Sequence, residues 1–307
     1  QHHGKYPLVV GANVTSFAAV YNTQDGPIII DDDATVMEGA LLRGPMYIGK
    51  NSVVKMGTKI YGGTSLGPHC KAGGELNNVV MLGNSNKGHD GFLGNAAIGE
   101  WCNLGAATDA SNLKNDYGNT RAWNYTQQKF ISTGLQFCGL IMGDHSKTAI
   151  QTPINTATVV GVGCSIFSIG FPRTFIPSFS RGGSQGMTEN NLNKMLNTAA
   201  VVMARRGQDM SAEDKAILTH LFAATKHHHF IELATCLTMW TKTGTTIDFG
   251  AHFNNAVFTY IYRATKQSAF HNGCIIVNDN GPVLCVVYRC KRSDICAKHH
   301  RIFTVVL

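Results

Sequence analysis

The chain has 307 residues, 44% hydrophobic and 15% charged, with 33 glycines and a formal charge of +7. Its basic residues are scattered, which argues against a nucleic-acid groove and suits a small anionic ligand. No apolar run reaches the roughly 18 residues that span a bilayer, and no secretory leader opens the chain, so a cytoplasmic protein without a membrane partner is expected. The chain opens on Gln1 rather than Met, which leaves open whether a segment lies upstream. Of nine cysteines, Cys70, Cys102, Cys138 and Cys164 lie far apart. They read as buried free thiols rather than as a disulfide framework.

In chain order, the first signal is a period of six. From Ile30 the positions Val36, Leu42, Ile48, Val54, Ile60, Leu66 and Ala72 are all aliphatic. After a slip the count resumes at Val80, Asn86, Phe92, Ile98 and Leu104, and again at Met142, Thr148, Ile154, Val160 and Ile166. Four residues after the aliphatic stands a small one, as at Ala34, Ser52, Thr58, Cys70, Cys102 and Cys164. Six matches neither the helical period of 3.6 nor the strand period of 2. It matches a coil with three flat faces, one hexad to a face, stacked on its neighbours. The expected fold is an all-β solenoid over residues 8–183, a left-handed parallel β-helix of about six coils at three hexads each. Residues 109–133 break the pattern with a polar, aromatic loop of the kind that carries function or subunit contacts.

From Thr188 the period becomes helical. Leu192, Met195, Leu196, Ala199 and Met203 fall on one face, with Thr188 as N-cap and Gly207 as the stop. A second helix starts at Ser211, with Asp214 three residues on. Residues 188–225 are expected to form a helical cap closing the solenoid. Residues 226–307 have no assigned fold, beyond a small β segment with a hairpin at Asn280-Gly281. There Cys285, Cys290, Cys296 and His299 match no familiar zinc spacing, and the three histidines at 227–229 read as a solvated run.

The stretch NKGHDGFLGNAAIGEWCNLGAAT sets His89 between two glycines, which let a ligand approach the backbone. It resembles KAGH-x-x-YLGD-x-x-IG-x-x-x-NIGAGT, the active-site stretch of the hexapeptide-repeat acetyltransferase domain of the enzyme that makes UDP-N-acetylglucosamine. From Gly88 to Thr108 the two align without gaps. GPIIIDDDATVMEGALLRGP, SNLKN and TGLQFCGLIMGDHSK resemble bacterial GlmU-like sugar nucleotidyltransferases over about residues 20–225. The resemblance implies a left-handed β-helix, a homotrimer, acetyl-CoA as acyl donor and a sugar acceptor. His89 would be the general base, taking the proton that a sugar ammonium must lose before it attacks a thioester. Lys59 and Asn77 would face phosphate and Asn103 the sugar. Ala106 would offer its N–H to the thioester region, and Asn112 and Thr152 would bind the donor.

The sequence departs from the family pattern at several contacts. Phe92 replaces a Tyr, Asn77 a Lys, Leu113 a Tyr and Ala107 a Gly. Lys59 replaces an Arg and loses its bidentate fork. Ile150 aligns with a donor-contacting Ser, with Thr152 nearby. The acceptor is therefore open among amino-sugars, sugar phosphates and nucleotide sugars. No nucleotidyltransferase half is visible. A non-catalytic, trimerising β-helix that carries such a domain is the alternative reading. Zinc hydration would need His69, His89 and His145 to converge, and no metal is expected in the repeat.

Overall fold

A computed structural model describes residues 1–167 and 169–228, with the backbone of three further strands, Cys274–Val277, Val283–Val287 and Thr304–Val306. Those three pair antiparallel with one another. The side chains of Cys285, Cys290, Cys296 and His299 lie outside the described residues.

The hexads build a parallel β-solenoid. Three columns of short strands stack along its axis, every pairing within a column being parallel apart from one terminal hairpin. Face one runs from His2–His3 through Lys59–Ile60 and the starts of Glu75–Met81 and Phe92–Ile98 to Pro153–Ile154. Face two runs from Leu8–Val10 through Thr64–Leu66 to Phe175–Ile176 and is nine levels deep. Face three runs from Thr15–Ser16 through Asn86–Lys87, bridges at Asn103, and ends at Ser180–Gly183. The solenoid is longer than the six coils expected, because levels with imperfect hexads at both ends still pair in register.

The aliphatic positions point inward. Ile30, Val36, Ile48, Val54, Leu66 and Ala72 are all buried, and so are the small residues Ala34, Ser52, Thr58, Cys70, Cys102 and Cys164. A narrow triangular interior admits one large side chain per face and only small ones at the corners. The middle register needs a correction. The inward residues there are Met81, Lys87 and Leu93, not Val80, Asn86 and Phe92. Only 15 residues separate Leu66 from its partner Met81. Corners are shortened at this level, and the six-residue count loses one step.

The ends are closed by the chain itself. Leu8 and Val14 pack on the core at one end and Met187 at the other. Met187 belongs to Gly186–Glu189, which turns back antiparallel on Ser180–Gly183. This hairpin takes up Thr188 and Glu189, so the first helix is capped by Asn191, whose side chain accepts from the Lys194 N–H. Helix α1 spans Leu192–Ala204 and buries Met195, Leu196, Ala199 and Met203, the stripe read from the sequence. Helix α2 spans Ala212–Thr225 and starts with a capping box of Ser211 and Asp214.

The two helices do not simply close the open end. Met195, Leu196, Ala199 and Leu218 pack on Phe179. Beyond α1, Arg206 donates to the His69 carbonyl at 2.6 Å and to Asn86 Oδ1 at 2.8 Å. Helix α1 therefore runs back along the corner between faces two and three. The excursion from face one to face two occupies 111–140, wider than the 109–133 expected. It holds the antiparallel hairpin Arg121–Asn124 and Lys129–Ser132. Trp123 stacks on Phe175 at 4.1 Å, and His228 sits edge-on to both Tyr125 and Phe175. His228 is only 2% exposed, so the histidine run is not solvated there.

Cys70, Cys102, Cys138 and Cys164 are free and buried. Cys70 donates to the Leu82 carbonyl at 2.7 Å and Cys164 to the Pro177 carbonyl at 3.1 Å. Burial pushes the Cys70 thiol up to about 12 and Cys164 to about 11, against 9.0 for an open thiol. The unfolded chain releases these protons at lower pH than the fold does. Their contribution is therefore complete below pH 9 and is lost as pH rises toward 11–12. Cys164 alone accounts for about 3 kcal/mol over that window. The expected result is a urea midpoint that falls steeply above pH 9 and falls less in Cys164→Ala relative to its own neutral value.

Candidate functional site

His89 stands on the corner where face three turns into face one, in the run Gly88-His89-Asp90-Gly91. Its ring is exposed and finds no hydrogen-bond partner among the described residues. No hydrogen bond or ion pair joins it to Asp90. Gly91 has φ +122, and a Cβ there would collide with the Thr108 carbonyl of the next level. The turn that presents His89 therefore needs glycine at 91.

Ala106 lies one level along the same corner. Asn86 bridges to Asn103, which sets His89 beside Ala106, and the Ala107 N–H donates to the Asp90 carbonyl at 2.9 Å. The Ala106 N–H meets no acceptor among the described residues. One further level along stands Ile150, 68% exposed. Beyond it Phe167, Ile169 and Phe171 are exposed. The corner thus carries an imidazole, an uncommitted amide and then an apolar strip.

The other expected site residues are spread. Lys59 is on face one, two strands from Phe92, roughly 10 Å at the ~4.8 Å strand spacing. Its Nζ lies 3.8 Å from Glu75 Oε2, an exposed pair. Asn103 is exposed on face three, just before the corner, and accepts from Asn86 Nδ2 at 3.3 Å. Asn77 pairs with Gly94 at the far edge of face one, and Asn112 donates to Asn95 Oδ1 at 2.6 Å on that same edge. Neither reaches the His89 corner of its own chain. Thr152 is fully buried and donates inward to the Ala149 carbonyl at 2.9 Å. It is not on the outer surface, and Ile150 takes the outward place. The 111–140 excursion packs against face two, across the prism from His89, and does not wall this corner within one chain.

The three histidines of the repeat do not converge. His69 and His145 are on the corner between faces two and three, and His89 is on the next corner round. No trio of His, Cys, Asp or Glu among the described residues is placed to hold a metal.

Two features escape a sequence reading. One is Lys87, fully buried in the core column of face three. The other is an acidic cluster beneath the helices. Burial raises Glu100 to about 7 with Asp144 nearby, and burial raises Asp144 as well. His145 stacks on Trp101 at 6.3 Å and is lowered by burial to about 4. Separations of more than 40 residues between Trp101 and His145 hid that cluster. Lys87 was hidden because a lysine is not expected at a core position.

No protein-family model and no curated protein sequence matches the chain. Solved structures similar to it include the polySia-specific acetyltransferase NeuO, at 11% identity and TM-score 0.29, covering 62% of this chain and 80% of that one. A UDP-N-acetylglucosamine acyltransferase from Arabidopsis follows at 12% identity and TM-score 0.27, covering 87% and 89%. The Francisella novicida UDP-N-acetylglucosamine acyltransferase stands at 14% and 0.25, covering 69% and 75%. At such scores the architecture rests on the chain's own strand pairing, which makes it a parallel β-solenoid with a short helical region.

Proposed function

We propose that the protein is an acyl-CoA-dependent acyltransferase acting on a sugar, with His89 as general base. The observation that carries the reading is the corner itself: an exposed imidazole one level from an amide, neither of which finds a partner among the described residues. An imidazole nitrogen placed there takes the proton of an attacking amine or hydroxyl. A main-chain N–H beside it stabilises the oxyanion that forms on the thioester carbonyl oxygen as the acceptor attacks the carbon. The strip of Ile150, Phe167, Ile169 and Phe171 suits the pantetheine arm of the donor. Asn103 stands one level from the base on face three, on the acceptor side, and Lys59 stands two strands away on face one.

Asn77 and Asn112 fall within reach of a site only if a second copy brings its far edge to the His89 corner. A homotrimer does this, and it is part of the proposal. The test is thiol release from acetyl-CoA against a panel of amino-sugars, sugar phosphates and nucleotide sugars, with the mass determined in solution. Release that requires an acceptor, from a trimer, supports the reading. A folded trimer that releases no thiol with any acceptor overturns it and favours the non-catalytic scaffold.

A further inference from the structure

Lys87 occupies a place where every neighbouring level has an uncharged side chain. The column on face three reads Val36, Val54, Ala72, Lys87. Lys87 is fully buried, and its Nζ donates to the His89 carbonyl at 2.6 Å and to the Gly73 carbonyl at 3.3 Å. Burial lowers its pKa to about 8, so it is cationic at neutral pH. A charge kept inside a narrow solenoid is costly, and an apolar residue of similar size is often no worse for stability.

Two irregularities at this level explain what the ammonium does. At two other levels of this corner a buried threonine holds the turn from inside, while Ala40 and Gly74 take that place at two more. Thr58 donates to the Lys55 carbonyl at 2.6 Å and Thr152 to the Ala149 carbonyl at 2.9 Å. The matching residue in the His89 turn is Gly91, which has no hydroxyl. Lys87 fills the space and supplies the donor. The second irregularity is in the main chain. At most corners the left-handed residue donates to the carbonyl one residue before its counterpart in the preceding level, although Gly63 and Gly39 donate to their direct counterparts Pro45 and Ala18. Gly57 donates in the commoner way to Glu38, Gln151 to Ala106 and Gly163 to Asp144. On that pattern Ala107 would bond the His89 carbonyl. It bonds Asp90 instead, at 2.9 Å, and the His89 carbonyl belongs to Lys87.

We propose that Lys87 is the positioning residue of His89, an ammonium sealed in the core that holds the His89 main chain out of the commoner corner pattern. It touches neither the ring nor a substrate. It sets the backbone from which the ring projects. The proposal rests on the reading of His89 as the base for its catalytic consequence, though not for its geometry.

The test is Lys87→Met, which keeps the length and removes the donor. The crystal structure of the variant should show Ala107 bonding the His89 carbonyl, with residues 88–91 shifted and the other corners unchanged. Thermal unfolding at pH 7 should be unchanged or raised. In thiol release, kcat should fall about tenfold or more with KM held within about twofold, because a displaced base affects the chemical step more than binding. A variant whose 88–91 turn superposes on the wild type overturns the proposal. So does one that keeps full kcat, or one that loses activity only in step with stability. Should the wild type itself release no thiol, the base reading fails, and the variant's corner geometry alone decides whether Lys87 positions His89.

Discussion

Replacing His89 with alanine is expected to lower acyl transfer by a factor of about 10² to 10⁴, the usual contribution of a positioned general base. The protein should otherwise be intact. His89 is exposed, and its ring makes no hydrogen bond among the described residues, so unfolding should move by no more than about 0.5 kcal/mol. The acceptor remains able to bind, so KM should hold while kcat falls. His89→Gln should be as inactive as the alanine, because an amide accepts a hydrogen bond without taking the proton. Partial rescue at high pH by a less basic amine acceptor would fit the same role, since that acceptor arrives already deprotonated. Full activity in His89→Ala would remove the ring from the mechanism.

Leu76→Ala should give the largest loss of stability, about 2–5 kcal/mol. Leu76 is fully buried between Ile60 below and Leu93 above, in the middle of face one. A solenoid interior offers no third layer that could collapse into the void, since each level touches only the two beside it. The cavity therefore persists, and its cost falls at the upper end of the range. Urea unfolding followed by circular dichroism would show it. Met56→Ala is the control, because Met56 is 69% exposed and should cost less than about 0.5 kcal/mol.

Much of the fold was legible because a prism with three equal faces repeats its inside residue every sixth position. The reading failed where a corner lost a residue. Between Leu66 and Met81 the step shortens, and the count then followed Asn86 and Phe92 on the outer surface instead of Lys87 and Leu93. A lysine at the inner position made the slip easy to miss, since it breaks both the period and the expected chemistry. The N-cap was misplaced because Thr188 suits a cap, yet the antiparallel partner of Arg181 claimed it first.

Of the candidate site, Ala106 is legible only through the family resemblance, and the fold places it one level from His89 on the same corner. The place of Thr152 was not legible, because hexad position alone does not say whether a corner hydroxyl turns in or out. It turns in to satisfy the Ala149 carbonyl. The docking of α1 left no local trace at all. Its anchor, Arg206, lies 137 residues from His69 and 120 from Asn86.

That anchor changes how the molecule should come apart. A stack of coils is normally a one-dimensional chain in which each unit answers only to its neighbours, and either end can fray alone. Here the last unit is laced back to the middle of the stack. Lifting the final coil drags α1 with it and pulls Arg206 off Asn86, close to His89. The terminal half then behaves as a closed loop rather than an open string. Its amides should lose hydrogen-exchange protection together, and cutting the lace with Arg206→Ala should let the end open independently of the centre.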